Sequence, residues 1–340
     1  MSDPGQRRSV RWHLRAGARR ALESAAAGRR ARRSQASWRD REPGGEDDWL
    51  TPVLVDYSTR DGSTLLMRLL ASSPEIAVEP PYPYERKYFT YLWRWSRLLD
   101  AARWPERWGP GELRSITEEG SEPMMGAPPW TPRTLIEPGS GEDELSRRLF
   151  ELAWFEFSRR AARRTRAEAG EPRARVRYYA EKHLFSWLLD LGAMPPLRLI
   201  ALLRDPRDSY ASMLAFDRAR GGPGFGAGRA ASLLDDAIAV QADRLRWIAG
   251  LEEAGSVPVV RYEELVRDLA GVATRLGEWL GVELDPAPAL GDRSMLRLHS
   301  TADTPDASIG RWRGELDEET AARFQRELGP ELARLGFDAA

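Results

Sequence analysis

The stretch TPVLVDYSTRDGSTLLMRLLASS (residues 51–73) decides the reading of the fold. PVLVDY is a short β-branched run bounded by turn formers, and LLMRLLASS carries apolar residues at helical spacing. The pattern is strand, loop, helix. The small residues of the loop YSTRDGST (57–64) let the backbone curl until successive N–H groups, with the helix N-terminus behind them, face an anion. Ser58, Thr59, Arg60, Asp61, Gly62, Ser63 and Thr64 are therefore candidate anion-binding residues. An anion-free turn capped by Ser and Thr fits the loop alone equally well. A nucleoside triphosphatase loop does not: G-x-x-x-x-G-K-[ST] needs Gly at 57 and Lys at 63, where the chain has Tyr57 and Ser63.

Two further units repeat the pattern. LRLIALL (197–203) leads through RDPRD into SYASMLAF, and SVPVVRY (256–262) leads into EELVRDLAGVATRLGEWLG, read as one helix with Leu265, Leu269, Val272, Leu276 and Leu280 on one face. Alternating strands and helices predict an α/β fold, a central parallel sheet flanked by helices, with ligands at the carboxyl ends of the strands. Arg204 then stands at a strand end and Ser212 two turns into the following helix, a second candidate anion site. The same residues alone also fit a salt bridge and a packing serine. Two such sites in one sheet imply a ligand with two separated phosphate-like groups. Ile76-Ala77-Val78 predicts a further strand ending beside Glu79.

Composition narrows the chemistry. The 340 residues include no Cys, which excludes a disulfide framework, a thiolate nucleophile and Cys-based metal sites. His13, His183 and His299 lack metal-ligand spacing. No apolar run approaches the roughly 18 residues of a membrane span, so the expectation is a soluble, cytoplasmic protein. Of the 51 basic residues only Lys87 and Lys182 are lysines, which singles both out. Residues 1–48 form an Arg-rich segment ending in REPGGEDD, expected to be a partly disordered basic extension ahead of a domain spanning 49–340. A membrane-surface helix, a nucleic-acid arm and a targeting segment are the sharper readings of that arm. Its Ala-rich helix offers little apolar area to bury, which favours the solvated extension. Specific nucleic-acid binding is not expected, and oligomeric state is left open.

At this point the chain resembles, from about 51 to 338, the sulfotransferases that use 3′-phosphoadenosine 5′-phosphosulfate (PAPS). STRDGSTLLMRLLASSPEI looks like the family's 5′-phosphosulfate loop and helix, where R-S-G-[ST]-T is usual; Asp61 stands in place of the Ser and adds a negative charge near the anion. LIALLRDPRDSYAS is similar to the 3′-phosphate motif, carrying over Arg204 and Ser212. VVRYEEL resembles the segment whose Tyr contacts adenine, giving Tyr262 that role. SIGRWR resembles the late loop over the nucleotide and nominates Ser308, Gly310, Arg311 and Trp312. YAEKHLFSWL resembles the segment whose Lys supports the transferring group, here Lys182.

The resemblance implies a P-loop sulfotransferase fold, PAPS as sulfonate donor and no metal. Its acceptor would be a hydroxyl, with an amine second, on a small molecule, glycan or peptide. Negative charge builds on the bridging oxygen as the nucleotide leaves, so Arg60 and Lys182 are the expected stabilising cations. A general base must take the acceptor's proton. Glu79 is the first candidate and Glu85 the second; His183, expected at a helix start, is third. Tyr82 and Tyr84 are candidate pocket residues, whereas Leu92 and Trp95 are expected in the core. The alternatives are a kinase-like phosphotransferase, and a PAPS-binding protein without catalysis that acts through its basic arm.

Overall fold

The β-branched run at 52–56 becomes the centre of a sheet because it can be buried on both faces. In the computed structural model β1 (Thr51–Tyr57) pairs in parallel with β3 (Tyr178–Leu184) on one side and β4 (Arg198–Leu203) on the other. β2 (Ile76–Val78) and β5 (Val259–Arg261) extend it outward, giving the order β2-β3-β1-β4-β5 with every pairing parallel. The structure describes residues 49–80, 83–96, 144–170, 175–184, 195–221, 230–291, 301–302, 304 and 306–337. The 1–48 extension, Tyr82 and the Pro/Gly-rich stretch 104–142 lie outside them.

Helices cover both faces. Val53 and Val55 pack with Leu66, Leu69 and Leu70 of α1 (Ser63–Leu70) and with Leu276 and Leu280 of α7 (Leu269–Leu280), which follows the short α6 (Tyr262–Arg267). Leu54, one residue out of phase, faces the opposite side. There it meets Phe89 and Trp93 of α2 (Tyr88–Ser96) and Phe150 and Trp154 of α3 (Glu144–Ala169). Farther along that face, Ala201 and Leu203 pack against Tyr210 of α4 (Pro206–Arg220), Leu245 and Ile248 of α5 (Ala230–Ala254) and Phe324 and Leu328 of α10 (Glu318–Arg334). α8 (Pro286–Gly291) and α9 (Trp312–Glu315) are short connecting helices. No helix among the described residues is long and apolar enough to cross a membrane.

Three expectations change. The helix after β5 is broken at Asp268, whose side chain accepts the Gly271 N–H at 2.8 Å and starts α7 afresh, while Leu265 through Leu280 still line one buried face. His183 lies inside β3 and is fully buried, so it is not at a helix start. Trp95 is 46% exposed: Phe89, Trp93 and Ser96 take the inward face of α2, which turns Trp95 outward. Leu92 is partly buried against the core as expected.

Candidate active site

The carboxyl ends of the strands deliver Tyr57, Lys182, Arg204 and Tyr262 to one crevice. β1 ends at Tyr57, and the loop turns into α1 through Arg60 (φ 63°) and Gly62 (φ 91°). Gly62 is required there twice over. Its φ is left-handed, and a Cβ would sit 2.6 Å from Cδ2 of the Tyr262 ring. Gly62 caps α1 without a side-chain bond, leaving the positive end of the helix at the loop.

Asp61 is buried, and its carboxylate is bonded within the loop and to the first N–H of that end. One carboxylate oxygen accepts the Ser58 N–H at 2.5 Å and the other the Ser63 N–H at 3.2 Å, with the Arg244 guanidinium 4.0 Å away. The sequence placed this negative charge near the anion; the partners of the carboxylate are the loop backbone and Arg244 of α5. Burial raises its pKa, opposed by Arg244 and the two N–H groups. Beneath it Asp56 accepts from Arg244 at 2.8 Å, and burial pushes its carboxyl up to about 7 against that guanidinium.

Lys182 is 2% exposed at its side chain and donates to Thr64 Oγ1 at 3.0 Å and Glu85 Oε1 at 2.6 Å. A buried ammonium thus sits between the first turn of α1 and a carboxylate that is itself 51% exposed. Lys87, also buried, donates to the Tyr57 hydroxyl at 3.2 Å, and both ammoniums lie within 6 Å of the Tyr57 ring centroid, at 5.3 and 5.7 Å. The two lysines of the chain therefore flank one phenol. Burial raises the Tyr57 pKa.

The two carboxylates proposed from sequence part company here. Glu79, at the end of β2, is 15% exposed and pairs with Arg86 at 3.5 Å and Arg164 of α3 at 3.7 Å. Glu85 is the one brought to Lys182. It follows Tyr84, whose φ of 66° makes it, with Arg60, one of two non-glycine residues at positive φ among the described residues. Strain of this kind persists where the surroundings over-determine it. The Tyr84 ring packs against the core beside α1, so the strained turn is fixed and aims Glu85 at the crevice.

Glu181, unremarked in the sequence, holds the next segment. It accepts the N–H groups of Phe89 (2.9 Å) and Thr90 (3.0 Å) and the Thr90 hydroxyl, docking the start of α2 on β3. Burial pushes its carboxyl up to about 7, against the bonds from Thr90 and Phe89 and the charge of Lys87. The protonated form is favoured in the folded state. Its stabilising contribution is therefore full below the unfolded value of 4.5 and lost as pH rises through about 7. Thermal melts across that window are expected to show the wild type losing about 2–3 kcal/mol relative to Glu181→Gln as the pH rises. A constant difference would place the titration elsewhere.

The residues of the second candidate anion site form one continuous network. Arg204 donates to the carbonyls of Ser308 (2.7 Å) and Arg60, and its guanidinium lies 4.0 Å from the Tyr262 ring centroid. The hydroxyls of Tyr262 and Ser308 are 2.7 Å apart. Arg60 Nε donates to Ser212 Oγ at 3.1 Å, and Ser212 meets Thr301 at 3.1 Å. Arg311 donates to Thr301 Oγ1 at 2.6 Å and pairs with Glu315. Asp208 accepts the N–H groups of Gly310 (2.7 Å) and Trp312 (3.0 Å), tying the late loop to α4. Arg60 was expected at the transferring group. Its side chain reaches Ser212, and Lys182 is the cation bonded to Thr64 in the first turn of α1. Trp312 is buried, its ring 4.0 Å from the Arg207 guanidinium carbon. Thr301 and Asp208 were missed; Asp208 stood in the quoted RDPRD, and Thr301 had no motif around it.

The fold belongs to a recognisable class. The sulfotransferase family model matches residues 52–286, more than half of the chain, and the chain belongs to that family. The matched span holds the loop, Lys182, Arg204, Ser212 and Tyr262, and ends before Ser308. Among solved structures the chain is similar to the sulfotransferase domain of the Synechococcus PCC 7002 olefin synthase, at 19% identity and a TM-score of 0.44 over 88% of this chain and 99% of that one. It is similar to the sulfotransferase domain from the curacin biosynthetic pathway at 16% and 0.40, over 86% and 99%. For sulfotransferase STF9 from Mycobacterium avium the values are 17% and 0.38, over 95% and 86%. No curated protein matches the chain significantly.

Proposed function

We propose that the protein transfers the sulfonate group of PAPS to a hydroxyl of a small-molecule, glycan or peptide acceptor, with an amine the less favoured acceptor. The observation that carries this is the pairing of two anion sites across adjacent strand ends. One is the loop before α1 with Lys182; the other is Arg204, Ser212, Thr301 and Arg311. The donor set fits a nucleotide with 5′ and 3′ anionic groups, since it consists of cations and hydroxyls. Arg204 Nε is buried with no hydrogen-bond partner among the described residues, as a donor awaiting an anion would be. Bound PAPS supplies an activated sulfonate and a nucleotide leaving group.

The residues of the chain do the rest. Lys182 holds positive charge where the leaving oxygen becomes negative, in a buried setting where charge interactions are strong. Glu85, the carboxylate across from that ammonium, takes the acceptor's proton. Tyr262, with the Arg204 guanidinium over one face of its ring and Gly62 close to its Cδ2–Cε2 edge, would offer its other face to adenine. Glu79, assigned first from sequence, faces Arg86 and Arg164 and not Lys182, so this reading moves the role to Glu85, whose ion pair with Lys182 must open as donor and acceptor enter between them.

Thermal shift with 3′-phosphoadenosine 5′-phosphate (PAP) against Mg-ATP tests the nucleotide. PAP at a hundredfold excess over its Kd is expected to stabilise by about 2.7 kcal/mol, with no comparable effect of ATP. Stabilisation by ATP alone would replace the reading with a phosphotransferase. Labelled PAPS with an acceptor panel then tests transfer, and binding without transfer would leave a nucleotide-binding protein.

A further inference from the structure

The loop that faces the nucleotide carries an acidic residue where the resemblance leads one to expect a serine. The structure shows what the extra charge is attached to. Asp61 spans the loop with its two oxygens, taking the N–H of Ser58 before the turn and of Ser63 after it. A serine has one side-chain oxygen on a shorter arm, and so lacks the two separate acceptors with which Asp61 spans the loop. Behind Asp61 stands α5. Arg244 lies 4.0 Å from the Asp61 carboxylate, is held by Asp56 and donates to the Leu202 carbonyl of β4. One turn earlier on α5, Gln241 donates to Ser58 Oγ at 3.1 Å. All of these groups are buried. A buried carboxylate without a cation is costly, so Asp61 can occupy this place because Arg244 does.

We propose that Asp61, Arg244 and Gln241 are positioning residues which fix the anion loop in its open curl before any ligand binds, so that α5 acts as a strut beneath the nucleotide site. None of the three needs to touch the nucleotide. The carboxylate takes the N–H groups of Ser58 and Ser63 and so fixes the backbone at both ends of the loop, which leaves the residues between them held in one conformation for the incoming anion. Pre-ordering removes part of the entropy that binding would otherwise cost. Because it rests on the reading of the loop as the PAPS cradle, the test separates the two.

In the full chain without nucleotide, Asp61→Ala is expected to speed amide hydrogen exchange across residues 58–64 at least tenfold. It is also expected to raise the Kd for PAP and the KM for PAPS by tenfold or more, leaving the acceptor KM unchanged. Asp61→Asn keeps the side-chain length but only one acceptor oxygen, its amide NH2 facing the second loop N–H, and should fall between Asp61→Ala and wild type on both readouts. Gln241→Leu, at the rim of the network, should raise the PAP Kd about threefold with an unchanged melting temperature; it carries the test with Asp61→Asn if Asp61→Ala does not fold. Exchange unchanged in Asp61→Ala, or PAP bound as tightly as or more tightly than by wild type, would overturn the proposal and make Asp61 a plain charge penalty. Wild-type protein that fails to bind PAP would refute the nucleotide reading, and exchange in the empty protein alone would then decide the strut.

Discussion

Lys182→Met is expected to lower kcat by about two to three orders of magnitude at saturating PAPS, while the Kd for PAP changes by less than about threefold. Methionine keeps most of the buried stem and removes the ammonium that meets Thr64 and Glu85. In the proposed complex many groups would hold the nucleotide in the ground state, above all the Arg204 and Ser212 network. Only in the transition state does charge accumulate on the bridging oxygen, so the loss falls on kcat. The fold should tolerate the change: the Glu85 carboxylate left behind is half exposed and can be solvated. Arg60→Met is the control, since its side chain reaches Ser212 and should affect the KM for PAPS more than kcat. Steady-state kinetics on both variants separate the cations, and a Lys182→Met enzyme with wild-type kcat would return the leaving side to Arg60.

The architecture was legible because its signals are local. β1, β4 and β5 are apolar runs followed by helical periodicity, and Arg204, Ser212 and Tyr262 sit at fixed offsets from those runs. β3 was obscured as a strand. Glu181, Lys182 and His183 are three successive polar residues in a strand buried on both faces, and only partners distant in sequence, such as Thr90, Thr64 and Glu85, make that burial tolerable. The direction of Asp61 was equally hidden, since Arg244 is 183 residues away in the chain. Trp95 was misplaced for a simpler reason. The stretch 88–96 is aromatic on more than one face, and sequence alone does not say which face meets α3.

Glu85→Gln is expected to cut kcat by about two to four orders of magnitude, the range for removing a positioned general base, while Glu79→Gln changes it by less than about threefold. Sequence proximity favours Glu79, because it ends a strand and precedes rigid prolines. Geometry favours Glu85, because the chain continues past Pro83 and the left-handed Tyr84 before a carboxylate meets Lys182. Glu79 faces Arg86 and Arg164, an arrangement that steadies β2 against α3 and points its carboxylate away from Lys182. A test specific to proton removal is the acceptor's acidity. A phenol loses its proton more readily than an alkyl alcohol, so Glu85→Gln should retain a larger share of wild-type activity on the phenol. A purely structural role for Glu85 would depress both acceptors equally. If Glu79→Gln instead shows the large loss and the acidity dependence, the base lies at the end of β2, and Arg86 and Arg164 must release it when the acceptor binds.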